Sequence, residues 1–513
     1  MTAIAMEHKP AACPTERFVV VVFDGVSLGI MSFAFGVFDM AVHYGVLPDL
    51  ELRVVAGEPA TAITGGGLSC YVPYDLDAAA QPGWTWACTC CAGTAGRPWP
   101  TAWPVPWWCR RTGPAAKPST SSSVPAERRS ETGGSTMEIR PFRVAISQES
   151  LDDLRNRLDR TRWTSDIPGE GPDYGTSLAW VQKLAGYWRD GYDWRAAEAR
   201  LNAYPQFITE IDGQDIHFLH VRSPEPGALP LILTHGWPGS VVEYLDVIGP
   251  LTDPRAHGRD PSIAFDLVIP SLPGFAFSSP LTSRGWGTAR TATAWVQLMR
   301  RLGYQRYGAA GNDAGSMVSP EIGRLDPDHV TAVHVTQVFS FPSGDPAEFE
   351  GLSEPDMAAL AKLQWFMDRK FSFNQLHSQQ PQTLAHALAD SPAGLLAWNG
   401  QLMGEDAMGS KGLDDDFVLT NVALYWLTST GGSSIRFYHE DATAPRTQQE
   451  PTTVPLGVAG FAGDFSGIRR FAERDHQNLV QWTMHPEPGG HYAAHLEPDV
   501  LADDIRAFYA GRR

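Results

Sequence analysis

One pattern limits the fold of this 513-residue chain above all others: from residue 207 onward, short apolar segments alternate with segments of helical periodicity. Apolar runs bounded by turn residues are typical of buried strands. A strand–helix succession folds into a mostly parallel sheet covered on both faces, which is an α/β fold. The predicted strands are two in 207–221 around Asp212-Gly213, then 229–234, 265–269, 307–310, 330–338, 454–459 and 479–484, and the clearest helices are 292–302 and 500–509.

The alternation is interrupted between about residues 345 and 450, where the pattern is mainly helical. A helical block inserted into a strand–helix succession is typical of a cap over a site at the carboxyl ends of the strands. The sequence therefore predicts a core in two parts, 223–345 and 451–513, with a cap at 346–450.

Residues 137–222 precede this core and are predicted to form a small N-terminal domain of helices and a strand meander. Its helices are indicated by apolar stripes with helical spacing. The stripes consist of Leu151, Leu154 and Leu158 and of Trp180, Leu184 and Trp188.

The first 136 residues differ in composition from the rest. Residues 76–136 combine tryptophan, proline, glycine and serine, which predicts a low-complexity linker. The alternative is translated sequence foreign to the native protein, with Met137 as the first functional residue. All six cysteines of the chain lie in this part: Cys13, Cys70, Cys88, Cys90, Cys91 and Cys109.

Residues 1–75 contain two apolar runs, 18–23 and 52–55, that are predicted to be neighbouring strands. The segments 22–26 and 64–67 resemble the start of a glutamine-amidotransferase-like (ThiJ/PfpI-type) domain. The later half of that domain, with its cysteine nucleophile, has no counterpart here, so this part is interpreted as a fragment.

Charge and hydropathy exclude several classes of partner. A formal net charge of -18 gives no electrostatic reason to expect nucleic acid. Neither a long uninterrupted apolar stretch nor a basic-then-apolar leader is visible, so no membrane anchor and no signal peptide are expected. The expected location is the cytoplasm.

The loop after the predicted strand 307–310 reads Gly311-Asn312-Asp313-Ala314-Gly315-Ser316. A nucleophile on a sharp strand–turn–helix elbow needs small residues two positions before and after it, because the turn crowds the backbone. Asp313 meets this requirement with Gly311 and Gly315. An ordinary capped loop has the same pattern, so the assignment depends on the position between strand and helix.

Three other loops complete a candidate catalytic set. The loop His235–Ser240 follows the strand 229–234, and in an α/β-hydrolase such a loop donates a backbone N–H to the oxyanion hole. A glycine- and proline-rich turn without a chemical role is the alternative. His491 and Asp464 follow the last two predicted strands, as base and orienting acid, although Asp464 alone would also fit a helix N-cap. The order Asp313, Asp464, His491 is that of α/β-hydrolases.

Two metal-binding alternatives are disfavoured, and no metal is expected. Cys88, Cys90 and Cys91 have neither a second cysteine pair nor a histidine pair with them. His491 and His495 have the spacing of a zinc pair but lack the glutamate of an H-E-x-x-H motif.

Residues 137–513 resemble a microsomal-type epoxide hydrolase, an α/β-hydrolase with an inserted cap and an N-terminal epoxide-hydrolase domain. Several separate motifs in the right order make the resemblance specific. They are Trp180…Tyr187-Trp188…Tyr192–Arg195, His235–Ser240, Ser271–Phe275, Gly311–Ser316, Asp390–Pro392, Arg436–Tyr438 and Gly489–His491.

The resemblance implies a role for each catalytic residue. Asp313 is the nucleophile that forms a hydroxyalkyl ester, His491 is the base that activates water, and Asp464 is its partner. Tyr438 is a cap acid that protonates the epoxide oxygen. The backbone N–H groups of Trp237 and Ala314 stabilise the oxyanion during ester hydrolysis.

The resemblance also implies an apolar epoxide and water as the substrates, with Trp237, Phe275 and Phe373 lining the pocket. No cofactor is expected, and a homodimer is left open. The implied biological role is detoxification or the catabolism of aromatic hydrocarbons.

Two residues depart from the family pattern. Ala314 occupies a position where the family usually has tryptophan, and Phe373 occupies the position of a second cap tyrosine. Tyr438 is therefore expected to act alone or with a polar neighbour such as Gln375 or His377.

Other functions are carried as alternatives. A haloalkane dehalogenase also uses an aspartate nucleophile, but it typically holds the halide with an indole N–H that Ala314 cannot supply. A catalytically silent ligand-binding protein, or a regulator that senses through its N-terminal fragment, is disfavoured by the set Asp313, Asp464 and His491.

Overall fold

The computed structural model describes residues 138–169, 174–343, 346–404, 412–445 and 450–512, together with five strands in the first 71 residues. The chain divides into two compact units: the first has residues 1–132 and 342–350, and the second has residues 133–341 and 351–513. The expected linker at 76–136 lies outside the described residues.

The first unit contains five short strands. The runs expected at 18–23 and 52–55 are the parallel neighbours β2 and β3, and β1 pairs with β2 in the antiparallel direction. β4 and β5 form a separate antiparallel pair. The strands are β1 (Ala3–Glu7), β2 (Glu16–Val22), β3 (Leu50–Ala56), β4 (Ala62–Gly65) and β5 (Leu68–Tyr71).

The second unit is built around a nine-stranded sheet. Its strands are β6 (Arg140–Phe142), β7 (Gln206–Ile211), β8 (Gln214–Val221), β9 (Leu229–Thr234), β10 (Phe265–Pro270), β11 (Tyr307–Gly311), β12 (Val330–Val335), β13 (Leu456–Phe461) and β14 (Leu479–His485). The strand order is β14-β13-β12-β11-β9-β10-β8-β7-β6.

The sheet is parallel from β14 to β10 and antiparallel from β10 to β6. This confirms the prediction of a mainly parallel α/β sheet. β9 is an apolar run with five of its six residues buried, as a central parallel strand requires. The strands of residues 137–222 extend the same sheet, so the N-terminal segment shares the core's hydrogen-bonded framework.

The helices of the core and of the N-terminal segment match the apolar spacing of the sequence. In α1, Leu151, Leu154 and Leu158 are all buried, and the Ser147 side chain caps the helix by accepting from the Ser150 N–H. The helices are α1 (Gln148–Asp159), α2 (Leu178–Asp190), α3 (Trp194–Leu201), α4 (Leu245–Thr252), α5 (Thr288–Arg301) and α6 (Ala314–Leu325).

The cap lies between β12 and β13, where the sequence predicts it, and its described residues are helical. Its helices are α7 (Glu354–Arg369), α8 (Ser372–Gln379), α9 (Pro381–Asp390), α10 (Pro392–Gly400), α11 (Asp415–Leu427), α12 (Gly431–Ser434) and α13 (Arg436–Thr443). The chain then returns to the core with α14 (Arg469–Asp475), α15 (Ala493–Leu496) and α16 (Pro498–Tyr509).

The N-terminal helices α1 and α2 pack against the cap. α1 and α2 contact α10 and α11 through their apolar faces. Polar bonds flank this contact: the Tyr187 hydroxyl donates to Asp416 Oδ1 at 2.7 Å, and the Tyr192 and Thr420 hydroxyls are 2.9 Å apart. None of the described helices is long and apolar enough to cross a membrane.

Candidate active site

Asp313 occupies a strained elbow between β11 and α6. Its backbone has φ 53° and ψ -120°, a conformation that non-glycine residues rarely adopt. The turn is so tight that a Cβ on Gly315 would lie 1.8 Å from the carbonyl oxygen of Thr234. The small residue is therefore required by close approach of the backbone, and the elbow turns the Asp313 side chain toward the carboxyl edge of the sheet.

The loop after β9 supplies a hydrogen-bond donor to this carboxylate. The Trp237 N–H donates to Asp313 Oδ1 at 2.9 Å. A Cβ on Gly236 would lie 2.1 Å from the same oxygen, so only glycine allows the loop to approach. The N–H of Ala314 also bonds to the carboxylate and lowers its pKa. One oxygen of Asp313 thus lies in a site made of backbone donors.

His491 and Asp464 meet Asp313 at the same edge. His491 Nε2 is 3.9 Å from Asp313 Oδ2, and His491 Nδ1 is 3.5 Å from Asp464 Oδ1. Asp464 lies in the loop after β13 and does not cap the following helix, whose N-cap is Ile468. The structure therefore brings together the three residues that the sequence places far apart.

The zinc alternative is not supported by the described residues, which contain no cluster of three potential metal ligands. His495 is instead held between two carboxylates. Its Nδ1 is 2.9 Å from Asp246 in α4, and its Nε2 is 2.8 Å from Asp414 at the start of α11.

Gln337 joins the three residues and was missed by the sequence analysis. Its Oε1 accepts from the Asp313 N–H at 3.0 Å, and its Nε2 donates to Asp464 Oδ2 at 2.7 Å and lies 3.1 Å from His491 Nδ1. The apolar pattern of residues 330–338 predicts a strand that includes Gln337. The strand ends at Val335, and the chain then turns so that the Gln337 amide faces the site.

Asn312 and Glu243 are two further polar residues without a sequence signal. Asn312 Nδ2 donates to the backbone carbonyl of His491 at 2.8 Å and fixes the histidine loop to the elbow. Glu243 is buried close to His491, and burial raises the pKa of its carboxyl to about 8. One Glu243 oxygen has no hydrogen-bond partner among the described residues.

Two residues of the site have raised pKa values, Asp313 because of burial and His491 because of neighbouring charges. Burial raises the pKa of Asp313, although His491 and the N–H groups of Trp237 and Ala314 oppose this shift. Burial alone would lower the pKa of His491, but the charges of Asp464, Asp313 and Glu243 outweigh it and raise that pKa to about 9. The histidine is therefore protonated at neutral pH.

Four rings cover this polar set and are termed the aromatic cluster: Trp237 from the loop after β9, and Phe373, His377 and Tyr438 from the cap. Phe373 stacks on Trp237 with ring centroids 5.3 Å apart and planes at 19°. His377 and Tyr438 both meet Trp237 edge to face, at 4.7 and 6.1 Å. Burial raises the pKa of Tyr438 well above its usual value.

Two residues expected near the substrate, Phe275 and Gln375, do not belong to the aromatic cluster. Phe275 is buried, but its ring contacts are with His235 at 5.5 Å and Tyr425 at 6.0 Å, outside the aromatic cluster. Gln375 is exposed, whereas His377 on the same helix is fully buried.

Two family models match this chain. The model described as "Epoxide hydrolase N terminus" matches residues 139–244, and the α/β-hydrolase fold model matches residues 230–392. A protein of Stigmatella aurantiaca, provisionally named an epoxide hydrolase, is 42% identical over 374 residues, covering 72% of this chain and 84% of its own length. The chain belongs to the epoxide hydrolases.

Other epoxide hydrolases cover nearly the same span. Epoxide hydrolase 1 of Oryctolagus cuniculus is 32% identical over 436 residues, which is 78% of this chain and 91% of the rabbit protein. The solved structure of Aspergillus niger epoxide hydrolase has 33% identity and a TM-score of 0.65, and covers 73% of this chain and 97% of its own.

A covalent aspartyl ester is typical of the epoxide hydrolase family, and this epoxide hydrolase has the geometry for it. A carboxylate is already a nucleophile when ionised, so it needs no base for its attack. The histidine beside Asp313 is then free to activate water in a second step. Both departures from the family pattern, Ala314 and Phe373, are buried next to this site.

Proposed function

We propose that this epoxide hydrolase converts an apolar epoxide and water into a vicinal diol through an ester on Asp313. The observation that carries the proposal is the unequal surroundings of the two Asp313 oxygens. Oδ1 accepts from the Trp237 N–H, whereas Oδ2 faces His491 Nε2 at 3.9 Å. One oxygen is thus held for the oxyanion, and the other is turned toward the base.

In the first step, Asp313 Oδ2 attacks an epoxide carbon. The carbon–oxygen bond of the strained ring breaks, and its electron pair moves to the epoxide oxygen. The hydroxyl of Tyr438 donates its proton to that oxygen, leaving a phenolate and a hydroxyalkyl ester on Asp313. Tyr438 lies on the cap side of the Asp313 carboxylate, whose charge is among the causes of its raised pKa.

In the second step, neutral His491 takes a proton from water, and the hydroxide adds to the ester carbonyl carbon. The N–H groups of Trp237 and Ala314 stabilise the resulting oxyanion. Collapse expels the diol oxygen, which takes its proton from the His491 imidazolium. The proton released by the new Asp313 carboxylate balances the Tyr438 phenolate, so the enzyme returns to its starting state.

Ester formation itself prepares His491 for the second step. The Asp313 charge is one of the causes that raise the pKa of His491 to about 9. An ester carries no charge, so alkylation of Asp313 removes this cause and lowers the pKa of His491. Ester formation therefore shifts His491 toward its neutral, basic form.

The aromatic cluster supports an apolar or aromatic epoxide as the substrate. Trp237 and Phe373 present stacked ring faces, and the small side chain of Ala314 leaves room beside the nucleophile. Aromatic rings favour apolar bodies by burial of surface and by ring–ring contact. Detoxification or aromatic hydrocarbon catabolism in the cytoplasm, with a homodimer as the assembly, is the biological setting that we propose with this chemistry.

A single-turnover experiment in H₂¹⁸O tests the mechanism. With enzyme in excess over styrene oxide, the diol should contain no ¹⁸O, and the label should appear in the Asp313 carboxylate, read by peptide mass spectrometry. Direct attack by water would instead put ¹⁸O into the first diol formed.

Two controls belong to this experiment. Asp313→Asn should form neither ester nor diol when assayed promptly, before its amide can hydrolyse back to aspartate. A haloalkane incubated in parallel should release no halide. Halide release without diol formation would assign the protein to the dehalogenases, and equal diol rates in Asp313→Asn would exclude the ester route.

A further inference from the structure

His377 is the buried polar group in the aromatic cluster that the mechanism above leaves unused. It lies one helical turn after Phe373 in α8, so both side chains project from the same face of the helix. The His377 ring is fully buried and is 5.0 Å from the Tyr438 ring, centroid to centroid. This titratable side chain thus lies against the ring of the proposed cap acid.

The tautomer of His377 is fixed by Trp398 in α10. The indole N–H of Trp398 donates to His377 Nε2 at 2.9 Å, so this nitrogen must be the acceptor. Burial lowers the pKa of His377 to about 3, and the ring is therefore neutral. A neutral imidazole that accepts at Nε2 carries its proton on Nδ1.

The Nδ1–H group has no hydrogen-bond partner among the described residues. The two ring nitrogens diverge, so Nδ1 is turned away from Trp398, and the rings around His377 are those of Trp237, Phe373 and Tyr438. A buried donor without an acceptor costs about 1–3 kcal/mol. Such a donor is expected where a ligand supplies the missing acceptor.

We propose that His377 Nδ1–H donates the second hydrogen bond to the epoxide oxygen, beside the hydroxyl of Tyr438. The inference rests on the proposed ester mechanism. The two donors form no hydrogen bond with each other in the structure, so each can be directed to the same substrate oxygen. His377 keeps its proton throughout: it stabilises the charge that develops on the oxygen, while Tyr438 transfers a proton to it.

The need for a second donor follows from Tyr438 itself. Its pKa is raised well above 10 by burial and by the charge of Asp313, which makes it a weak proton donor. A neutral donor beside it stabilises the alkoxide before the proton moves. Phe373, at the position expected for a tyrosine, cannot supply this bond.

Two variants of equal shape test the proposal. His377→Asn keeps an N–H donor close to the position of Nδ1, whereas His377→Leu has nearly the same shape but no donor. Both are too short to place an acceptor at the position of Nε2, where Trp398 donates, so this change is common to the two variants. We expect His377→Leu to slow ester formation in a single turnover by about 10²-fold, and His377→Asn to stay within about tenfold of the wild type.

The readouts separate this inference from the proposed function. Ester hydrolysis, measured after the ester has formed, should be unchanged in both variants, and His386→Gln on an exposed position of α9 serves as the control. Equal rates of ester formation in the Asn and Leu variants would overturn the role of His377. A wild-type protein that forms no ester would instead refute the proposed function.

A second measurement uses the wild-type protein and does not depend on the folding of a variant. In a crystal structure with phenylacetamide, the amide oxygen should accept from both His377 Nδ1 and the Tyr438 hydroxyl. The indole N–H of Trp237 is the competing donor, since it too has no partner among the described residues. An amide oxygen bound by Trp237 and Tyr438, with His377 out of hydrogen-bond reach, would overturn the proposal.

Discussion

The two faces of the site are built by opposite means. On the core face, Asp313, Asp464 and His491 are connected through the amide of Gln337, and strand ends and tight turns position them. On the cap face, rings pack against one another and on Trp237 of the core, and His377 Nδ1 has no hydrogen-bond partner among the described residues. With the mechanism proposed above, this contrast corresponds to a division of labour: the core residues would form and hydrolyse the ester, and the cap residues would bind and protonate the epoxide oxygen.

The largest loss of activity is expected for a substitution on the core face, at His491. His491→Gln should lower steady-state diol formation by about 10³–10⁴-fold, because no base remains for water. Ester formation should continue to one equivalent, since Asp313 attacks without the histidine. Mass spectrometry of the quenched Asp313 peptide should show the adduct, and slow turnover without any adduct would contradict the two-step scheme.

A smaller loss of activity is expected for a substitution on the cap face, at Tyr438. Tyr438→Phe should slow ester formation by about 10²-fold by removing the proton donor, and no ester should accumulate. Rapid-quench kinetics give the rate, and Tyr174→Phe, at a highly exposed position, is the matched control. Accumulation of ester in Tyr438→Phe would place the tyrosine in the second step and break the proposed division of labour.

The sequence predicted most of the core face, because its chemistry lies at strand ends. The apolar runs located the strands, and loops after parallel strands converge at one edge. Gln337 escaped prediction because β12 ends earlier than its apolar pattern suggests. The residues of the cap face were harder to predict. The sequence does not tell which of Gln375 and His377 faces the site, because the orientation of α8 decides that His377 is buried and Gln375 exposed. Phe275 was assigned to the pocket by type, yet its neighbours are His235 and Tyr425.

The two faces should also differ in tolerance to added volume. Gly315→Ala places a methyl group against backbone of the core and should destabilise the protein by about 3 kcal/mol. Gly394→Ala in cap helix α10 meets only the Ser391 side chain, at 3.1 Å, and should be close to neutral. Denaturant unfolding measures both, and equal losses would show that the elbow is no tighter than the cap.

The smallest effect is expected on stability, from His495. This histidine bonds to Asp246 in the core and to Asp414 in the cap. Burial lowers the pKa of His495, but its bonds to the two carboxylates outweigh this and raise it to about 8. A raised pKa contributes stability below the unfolded value of about 6.5, and this contribution is lost as the pH rises through about 8. The shift corresponds to about 2 kcal/mol at most, and screening at the exposed Asp414 reduces it to about 1 kcal/mol.

The measurement is the pH dependence of the free energy of unfolding. His495→Gln should be less stable than the wild type at pH 6, and the difference should shrink by pH 9. A difference that stays constant from pH 6 to pH 9 would show that the histidine acts by packing on Phe417, with which its ring stacks at 4.0 Å, and not by charge.

The contact between the N-terminal helices and the cap has a consequence for synthesis of the protein. α1 and α2 are made early, but the helices that cover their apolar faces, α10 and α11, follow more than 190 residues later in the chain. Until residues 392–427 leave the ribosome, an apolar surface that includes Leu154 and Trp188 has no native cover. We expect the nascent chain to expose this surface during translation of the first part of the core, and chaperone demand to fall once α11 has emerged.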